Sequence, residues 1–526
     1  MPTISATVVL QCELAGAGGG WTDITADTRI GVQPLEIDYG INGSGPLDRI
    51  ASTGTMIWAM DNSVSNSGGV VGYYSPGHTN ARAGWDIGIG VRCKLTYGGT
   101  DYYKGVGTLI IVIPDAGQYQ RQAVLCTAVD WMDEAAITRI RGIGIQTNQR
   151  SDQIIDTIVT NSVTRQPAST SYNTGQSSFA ISLDNMNDTQ TPVLAALADT
   201  VISELGYLYV KGGTTGGVLK FEDRHARPKF GAAVGSFDET MVSLDVTRSR
   251  SDIINRVYVI VHPRTTAGSA SVLYELTTTD SVPSIAAGVT IQITAPFREA
   301  SIKSYRVAGS SIVTPVAGVD WIANTVADGS GSVITSDVAV TLSTTAANAV
   351  TFQVVNNGTV TAYLTTLQVR GTEVADISNT VMAASDSSSA TTYGERDQRV
   401  DMKYESNAGE FATNIAEWIL NVYKDPRYVI KQMSIIGNAS SYLMTQAIAR
   451  EPGDKITLAE TMTGIAETGA SSAEIGYFIQ GCRFLVEAGG LISVSWVLSP
   501  AEQQNFWILQ QVGASELGLS TVLGFA

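Results

Sequence analysis

Residues 88–113 read GIGVRCKLTYGGTDYYKGVGTLIIVI, and this stretch decides the fold class. From Gly88 to Thr96, apolar and polar residues alternate with the period of two that is typical of a half-buried strand. The four residues from Tyr97 to Thr100 contain two consecutive glycines and predict a tight turn. Because Asp101–Ile113 then returns as a second arm, the stretch predicts an antiparallel hairpin.

The composition extends this pattern to the whole chain. Glycine accounts for 52 of the 526 residues, and charged residues make up only 16%. Abundant glycine, serine, threonine and valine are typical of strands and turns, while 44% hydrophobic residues exclude a disordered chain. The length predicts roughly three to four domains. We therefore predict a mainly β fold with a few helices, of the α+β class.

Three segments carry helical periodicity instead. Arg150–Asn161 begins with a capping serine, and its isoleucines gather on one face. A second helix is predicted from Thr191-Pro192 to a stop at Gly206, and a third over Ala408–Tyr423. Between them, the segments 207–211 and 218–222 predict another hairpin. Strands are predicted again from Arg427 to Trp496.

Two stretches differ in composition from their surroundings. Thr164–Ser178 is rich in polar residues and predicts an exposed linker or loop. The segment 306–372 has very few charged residues and many strand-length runs, which predict an inserted β-sandwich-like domain. Within it, Asn356-Asn357-Gly358-Thr359 separates two runs and predicts a hairpin turn.

The charge balance excludes some classes of function. With 33 basic and 49 acidic residues, the net charge is −16, which disfavours a nucleic-acid binder. Apolar runs such as Leu109–Ile113 are too short to span a bilayer, and the first residues lack the pattern of a signal peptide. We expect synthesis in a reducing cytoplasm. The scattered cysteines are then predicted to be buried free thiols: Cys12, Cys93, Cys126 and Cys482.

No cluster of residues makes a convincing catalytic, cofactor or metal site. The histidines, which lack metal-ligand spacing, are His78, His225 and His262. The run Glu222-Asp223-Arg224-His225 follows a strand, and we interpret it as a solvated strand end with local ion pairs. The carboxylates Asp130, Asp133 and Glu134 also cluster, and a polysaccharide depolymerase uses a pair of carboxylates. Adjacent carboxylates are common where a strand ends, so we do not interpret them as a catalytic pair. The tryptophans predict core packing rather than a sugar platform, and we predict that the protein is not an enzyme.

Several segments, in this order, resemble the tail hub, or tail-associated minor tail protein, of long-tailed bacteriophages. The opening segments that carry the resemblance are Trp21–Arg29, Gly45–Met56, Asp61–Ser63 and Gly72–His78. The later ones are Leu194–Leu205, Gly206–Val210, Leu219–Arg224, Ile254–Val257, Phe506-Trp507 and Leu517–Phe525. The resemblance covers most of the chain outside the 306–372 segment.

The resemblance implies two hub-type β-barrel domains and a small α+β connecting domain. The first barrel with its exit helix is expected over 1–160 and the connecting domain over 161–245. The second barrel is expected over 246–305 plus 373–500, around the inserted domain at 306–372. The C-terminal closing segment is then 501–526.

The resemblance also implies a function. It predicts a structural virion protein at the tail tip, a trimeric ring through which DNA passes. The implied partners are further copies of the chain, the distal tail or tail tube protein, the tape measure protein, and fibre or tip proteins. The alternatives are a receptor-binding protein that recognises a host glycan, a distal tail protein, or the depolymerase with Asp130 and Glu134.

Overall fold

The computed structural model describes residues 4–16, 18–116, 121–186, 190–228, 232–238, 240–276, 281–298, 307–376, 379–406, 409–459 and 475–501. Strands dominate these residues and helices are few, so the predicted mainly β, α+β class is confirmed. The expected closing segment beyond Ala501 lies outside the described residues. No helix in the described ranges is long and apolar enough to cross a membrane.

The strands of the first half of the chain are β1 (Thr7–Cys12), β2 (Thr22–Asp23), β3 (Leu35–Gly40), β4 (Thr55–Asp61), β5 (Gly90–Tyr97), β6 (Thr100–Pro114), β7 (Ala123–Val129), β8 (Gln146–Arg150), β9 (Ser169–Tyr172), β10 (Ser178–Ser182), β11 (Tyr207–Lys211), β12 (Val218–Glu222), β13 (Gly235–Asp238), β14 (Ser243–Thr247) and β15 (Arg256–Val261).

The strands of the second half are β16 (Arg264–Thr266), β17 (Ser271–Glu275), β18 (Ser284–Ile285), β19 (Thr290–Pro296), β20 (Ala308–Ser310), β21 (Trp321–Asn324), β22 (Val338–Thr345), β23 (Ala349–Asn356), β24 (Ala362–Asp376), β25 (Thr380–Ser385), β26 (Asp397–Met402), β27 (Val429–Ile436), β28 (Lys455–Ala459), β29 (Ile475–Glu487) and β30 (Leu491–Pro500). The α-helices are α1 (Trp131–Ile137), α2 (Ser151–Ser162), α3 (Val193–Glu204), α4 (Ser387–Tyr393), α5 (Glu410–Tyr423) and α6 (Ser441–Ala449).

One large sheet joins the two ends of the chain. Its strand order is β14-β27-β30-β29-β3-β4-β7-β6-β5-β1-β2, with β28 on β29 and β13 on β28. The antiparallel pairing of β3 with β29 joins the N-terminal strands to the C-terminal ones, and both groups bury side chains in one continuous core. The hairpin predicted from residues 88–113 is confirmed as β5 and β6, which pair from Gly90 to Tyr97.

A layer of helices and the three-stranded sheet β11-β12-β9, which we call the small sheet, form the second core. Its helices α2 and α3 confirm two predictions from periodicity, and the predicted 207–222 hairpin is confirmed as β11 and β12. The loop predicted over Thr164–Ser178 is wrong in part, because Ser169–Tyr172 forms β9, a parallel partner of β12. This short polar strand is held by backbone pairing rather than by an apolar face, which sequence periodicity does not detect.

A third unit packs α5 against a three-stranded sheet in the order β25-β15-β26. The predicted third helix is thereby confirmed, since Phe411, Ile415 and Ile419 bury one face of α5 against Val257 and Val400. The strands predicted from Arg427 to Trp496 are present, and the structure adds a helix among them, α6. Ser440 caps α6 through a hydrogen bond from the Leu443 N–H to the serine Oγ (3.0 Å).

The sandwich module runs between β15 and β25. Its long strand β24 pairs with β16, β17, β18, β20 and β21, and the sheet β19-β23-β22 packs against them. The predicted 306–372 segment covers only part of this core, which begins with Leu273 and includes Phe297. Because Val261 and Thr380 face each other in register, the chain leaves and re-enters the third unit at one point.

The hairpin predicted at Asn356-Asn357-Gly358-Thr359 is wrong. The two flanking strands, β23 and β24, belong to different sheets, so the chain here crosses from one layer of the sandwich to the other. Asn356 stabilises the crossing, because its buried amide donates to the carbonyl oxygens of Ile285 (2.9 Å) and Val360 (2.8 Å).

Replacing residues 267–373 by Asn-Gly should remove the sandwich module and leave the rest of the chain folded. Thr266 and Val374 face each other across β16 and β24, and a two-residue Asn-Gly turn joins such a pair. We expect the circular dichroism spectrum to lose only the β-strand signal of the removed residues. We expect native mass spectrometry to find the same number of copies as for the wild type.

Deleting 306–372 is the matched comparison. That deletion removes most of β24 and exposes the apolar faces of β17 and β19, so we expect aggregation. Aggregation of the Asn-Gly variant instead would contradict the boundaries of the module.

Candidate assembly site

The interpretation of Glu222-Asp223-Arg224-His225 as a solvated strand end is wrong. Glu222, Asp223 and Arg224 are all buried, and each carries a different long-range contact. The Gln176 side chain donates to Asp223 Oδ2 at 2.6 Å. These neighbouring charges can be buried at the end of β12 because each of them binds a partner from another segment of the chain.

Arg224 reaches a carboxylate in the helical layer. Glu204, at the end of α3, accepts from Arg224 Nη1 (3.3 Å), from the Ser177 N–H (2.8 Å) and from Ser151 Oγ (3.1 Å). Burial raises the pKa of Glu204 although these donors and Arg224 favour its charge. This fully buried pair therefore joins α3, α2 and β12 and depends on every one of its hydrogen bonds.

Arg227 connects the small sheet to the large one. Its Nε donates to Glu222 Oε2 (2.7 Å), its Nη1 donates to Gln480 Oε1 on β29 (2.7 Å), and its guanidinium lies 3.8 Å from the ring centre of Tyr207. Burial lowers the pKa of Arg227 but Glu222 and the tyrosine raise it, and the net change is upward. The charge of the buried guanidinium is thus balanced by Glu222, while its Nη2 has no hydrogen-bond partner among the described residues.

The segment Arg450–Asp454, which we call the junction loop, completes the connection. The Tyr209 hydroxyl lies 2.8 Å from the Pro452 carbonyl oxygen and 2.9 Å from Glu222 Oε1. Gly453 has φ +93°, and a Cβ there would lie 2.6 Å from Glu222 Oε1, so only glycine fits.

The same loop also binds the N-terminal strands. Lys104 of β6 is buried, forms an ion pair with Glu451 and donates to the Arg450 carbonyl oxygen at 2.7 Å. The Tyr39 hydroxyl of β3 donates to Glu451 Oε2 at 2.9 Å. The junction loop therefore holds the small sheet against β3, β6 and β29 of the large sheet.

Asp130 is used structurally. Its carboxylate caps α1 by accepting from the Met132 N–H at 3.0 Å, and Asp133 and Glu134 lie in the first turn of that helix. Burial raises the pKa of Asp130 to about 7, outweighing the hydrogen bond from Met132. The cavity beside Asp130 measures about 10 Å³, which is room for roughly one water molecule and far too little for a sugar ring.

The remaining candidates are dispersed. His262 is buried against Asp401, with Nε2 and Oδ1 2.6 Å apart, while His78 is exposed in the loop before β5. No group of three potential metal ligands occurs within the described ranges. The four cysteines are buried, as predicted. Among the described tryptophans, core packing is confirmed for Trp58, Trp85, Trp321 and Trp496.

One edge of the large sheet exposes several apolar side chains to solvent. Ile110, Ile111 and Ile113 on β6 are 39%, 41% and 53% exposed, and the nearby Ile87 is 61% exposed. We call these four residues the isoleucine edge. A bulge at Ile110 turns Ile111 outward, while Leu109 stays in the core.

The backbone of this edge also lacks a partner strand on one side. Beyond Leu109, β6 pairs with β7 on one side, and no described strand pairs with 110–114 on the other. A strand with free N–H and carbonyl groups and exposed β-branched side chains is a template for pairing with another chain. The sequence showed the apolar run Leu109–Ile113 but not its exposure.

Comparisons with known proteins give the following picture. No family model matches the sequence, and no curated protein matches it. Among solved structures, a tail protein from Neisseria meningitidis MC58 aligns over 94% of this chain and 96% of its own, with 7% identity and a TM-score of 0.46. The 43 kDa tail protein of prophage MuSo2 from Shewanella oneidensis aligns over 95% and 98%, with 10% identity and a TM-score of 0.44. Prophage tail protein gp18 from Listeria monocytogenes EGD-e aligns over 93% and 94%, with 7% identity and a TM-score of 0.39.

Glu222→Gln should destabilise the junction. The substitution leaves the Arg227 charge buried without its counter-charge, which costs about 3–5 kcal/mol. We expect native-state hydrogen exchange to report this loss as faster opening of the β11 and β12 amides. Glu395→Gln, which removes a solvent-exposed partner of Arg256, is the control and should leave exchange unchanged. Equal effects of the two variants would contradict the role given to Arg227.

Asp130→Asn should change how stability depends on pH. The pKa of Asp130 rises from 3.8 to about 7 on folding, so the folded chain holds the proton more tightly than the unfolded chain. This stabilisation is complete below pH 3.8 and is lost as pH rises through about 7. Asparagine caps a helix equally well and does not titrate. Relative to wild type, we expect Asp130→Asn to gain about 2–4 kcal/mol between pH 4 and pH 8, measured by urea unfolding. A difference that is constant with pH would refute the assignment.

Proposed function

We propose that this chain is a structural protein of a bacteriophage tail tip that assembles as a trimeric hub ring. In this proposal the ring joins the tail tube and distal tail protein to the host-recognition parts, and DNA leaves through it. The tape measure protein and the fibre or tip proteins are further partners. The chain has no catalytic role in the proposal, and its place is the virion.

The isoleucine edge carries the proposal. Four exposed isoleucines beside an unpaired strand segment are a liability for a monomer, and burial in a contact between copies removes it. An edge that docks on a different surface of the next copy makes a heterologous contact, and repeated contacts of this kind close into a ring when the rotations between copies add up to a full turn. The sequence resemblance to tail hubs supplies the expected number of copies, three.

Rigidity of the subunit supports the same function. A ring that connects other parts must keep its contact surfaces in a fixed relative position. Here the junction loop holds β6, which carries the isoleucine edge, through the buried pair of Lys104 with Glu451. The same loop holds the small sheet through Tyr209.

The charge of the chain is compatible with the transit of DNA. A net charge of −16 repels phosphate, so a pore built from such chains would not retain the passing nucleic acid. The chain leaves the third unit to form the sandwich module and re-enters that unit at the same point. The module is then available for contacts with tip proteins or the host surface.

The native mass of the purified chain, with class averages from negative-stain images, tests the proposal. We expect a ring of three copies, each of 55.6 kDa. A ring of six copies would indicate a distal tail protein instead. A monomer that releases reducing ends from a host polysaccharide would overturn the structural assignment.

The double variant Ile111→Lys/Ile113→Lys tests the edge itself. Two lysines on an edge strand oppose pairing, so we expect at least a tenfold rise in the concentration needed for assembly, with unchanged circular dichroism. Val333→Lys is the matched control, because Val333 is 69% exposed on the sandwich module. Normal assembly of the double variant would show that the contact between copies lies elsewhere.

A further inference from the structure

An open cleft of about 430 Å³ lies where the third unit meets the large sheet. Its walls come from the loop after β3, the segment before β15, the start of β26 and the connection from α5 to β27. This volume is within the range of about 300–1,000 Å³ that ligand sites occupy. The cleft is separate in sequence from the isoleucine edge, and neither the hub proposal nor the sequence motifs account for it.

Three hydrogen-bond donors on the walls are buried without a partner within the described residues. They are Arg396 Nε, Arg427 Nη2 and the Tyr423 hydroxyl. Buried donors in folded proteins are nearly always paired, because an unpaired one has lost its hydrogen bonds to water. A ligand that supplies acceptor oxygens would complete this site.

The donors are suited to a carboxylate. The Arg427 guanidinium lies 5.3 Å from the ring centre of Tyr423, and Tyr423 is only 7% exposed. Burial raises the pKa of Tyr423, so its hydroxyl stays protonated and donates at neutral pH. Guanidinium groups and a phenol are donors that carboxylate oxygens accept from, and all three line the same cleft.

The acidic residues of the cleft narrow the choice of ligand. Asp252 Oδ1 is paired with Lys431 Nζ at 3.0 Å, whereas its buried Oδ2 has no partner among the described residues and requires a donor. The other carboxylates on the walls, Glu395, Asp397 and Asp425, repel a polyanion such as a nucleic acid. The ligand therefore carries a single carboxylate with an N–H or O–H donor near it.

The walls are held in place before any ligand binds. Buried Asn255 accepts from the Arg396 N–H (2.8 Å) and donates to the Gly394 carbonyl oxygen (2.9 Å), which fixes the start of β26. The Ile254 N–H donates to the Tyr423 carbonyl oxygen at 3.0 Å, which fixes the end of α5. A preformed site of this kind loses little entropy on binding.

We propose that this cleft binds a peptide segment through one acidic side chain, with the carboxylate on Arg396, Arg427 and Tyr423 and a peptide N–H on Asp252. A peptide supplies both the carboxylate and the donor within a few ångströms. The site is independent of the tail assignment, and the experiment below does not use assembly as its readout.

Saturation-transfer NMR with the full chain and acetyl-Gly-Asp-Gly-amide tests the proposal. We expect saturable binding of this peptide and at least tenfold weaker binding of the Asn analogue, which lacks the charge. Arg396→Gln and Arg427→Gln should each weaken binding of the Asp peptide at least fivefold. Tyr423→Phe, which keeps the ring against Arg427, should weaken it by a smaller factor.

Arg399→Gln is the matched control, because Arg399 is exposed on β26 and does not line the cleft. It should leave the affinity unchanged. Equal binding of the Asp and Asn peptides, no binding of the Asp peptide, or equal loss in Arg399→Gln and Arg427→Gln would each overturn the proposal. Malate carries the same carboxylate beside a hydroxyl donor; if it binds tenfold more tightly than the peptide, the occupant is a small hydroxy acid and the peptide is rejected.

Discussion

The packing of the small sheet against the large sheet depends on the buried guanidinium of Arg227. A charge in that position requires a carboxylate and a further acceptor, and these come from β12 and β29, strands that are far apart in the sequence. Satisfying it brings the small sheet against the large one. The junction loop then closes over the contact, and its glycine is required there because Glu222 and Tyr209 occupy the space of a side chain.

Local signals in the sequence were reliable where the structure uses local contacts. The hairpin of β5 and β6 follows from alternation and two glycines, and α2, α3 and α5 follow from apolar spacing. Local signals failed where pairing with strands that are distant in the sequence determines the path of the chain. Asn357-Gly358 has the residues of a hairpin turn, yet the partners of β23 are β19 and β22, so the chain crosses between sheets instead.

The candidate sites show the same division. The run Glu222–His225 indicates charge at a strand end, but its burial depends on Glu204 and on Gln176, which no local pattern connects to it. The apolar residues of the isoleucine edge are visible in the sequence, whereas their exposure depends on which strands fail to cover β6. The donors of the cleft come from separate segments around β26 and α5, and each alone is an ordinary surface arginine or helix-end tyrosine.

The buried cysteines have a consequence for the chemical lifetime of the protein. Burial raises the pKa of Cys12 to about 11 and that of Cys93 to about 12, and it raises the pKa of Cys126 and Cys482 further. Oxidation proceeds through the thiolate, which for Cys12 is about one part in a thousand at pH 8. The folded protein therefore keeps its four thiols in an oxidising solution as well as in a reducing one. Its shelf life is therefore set by unfolding rather than by thiol chemistry.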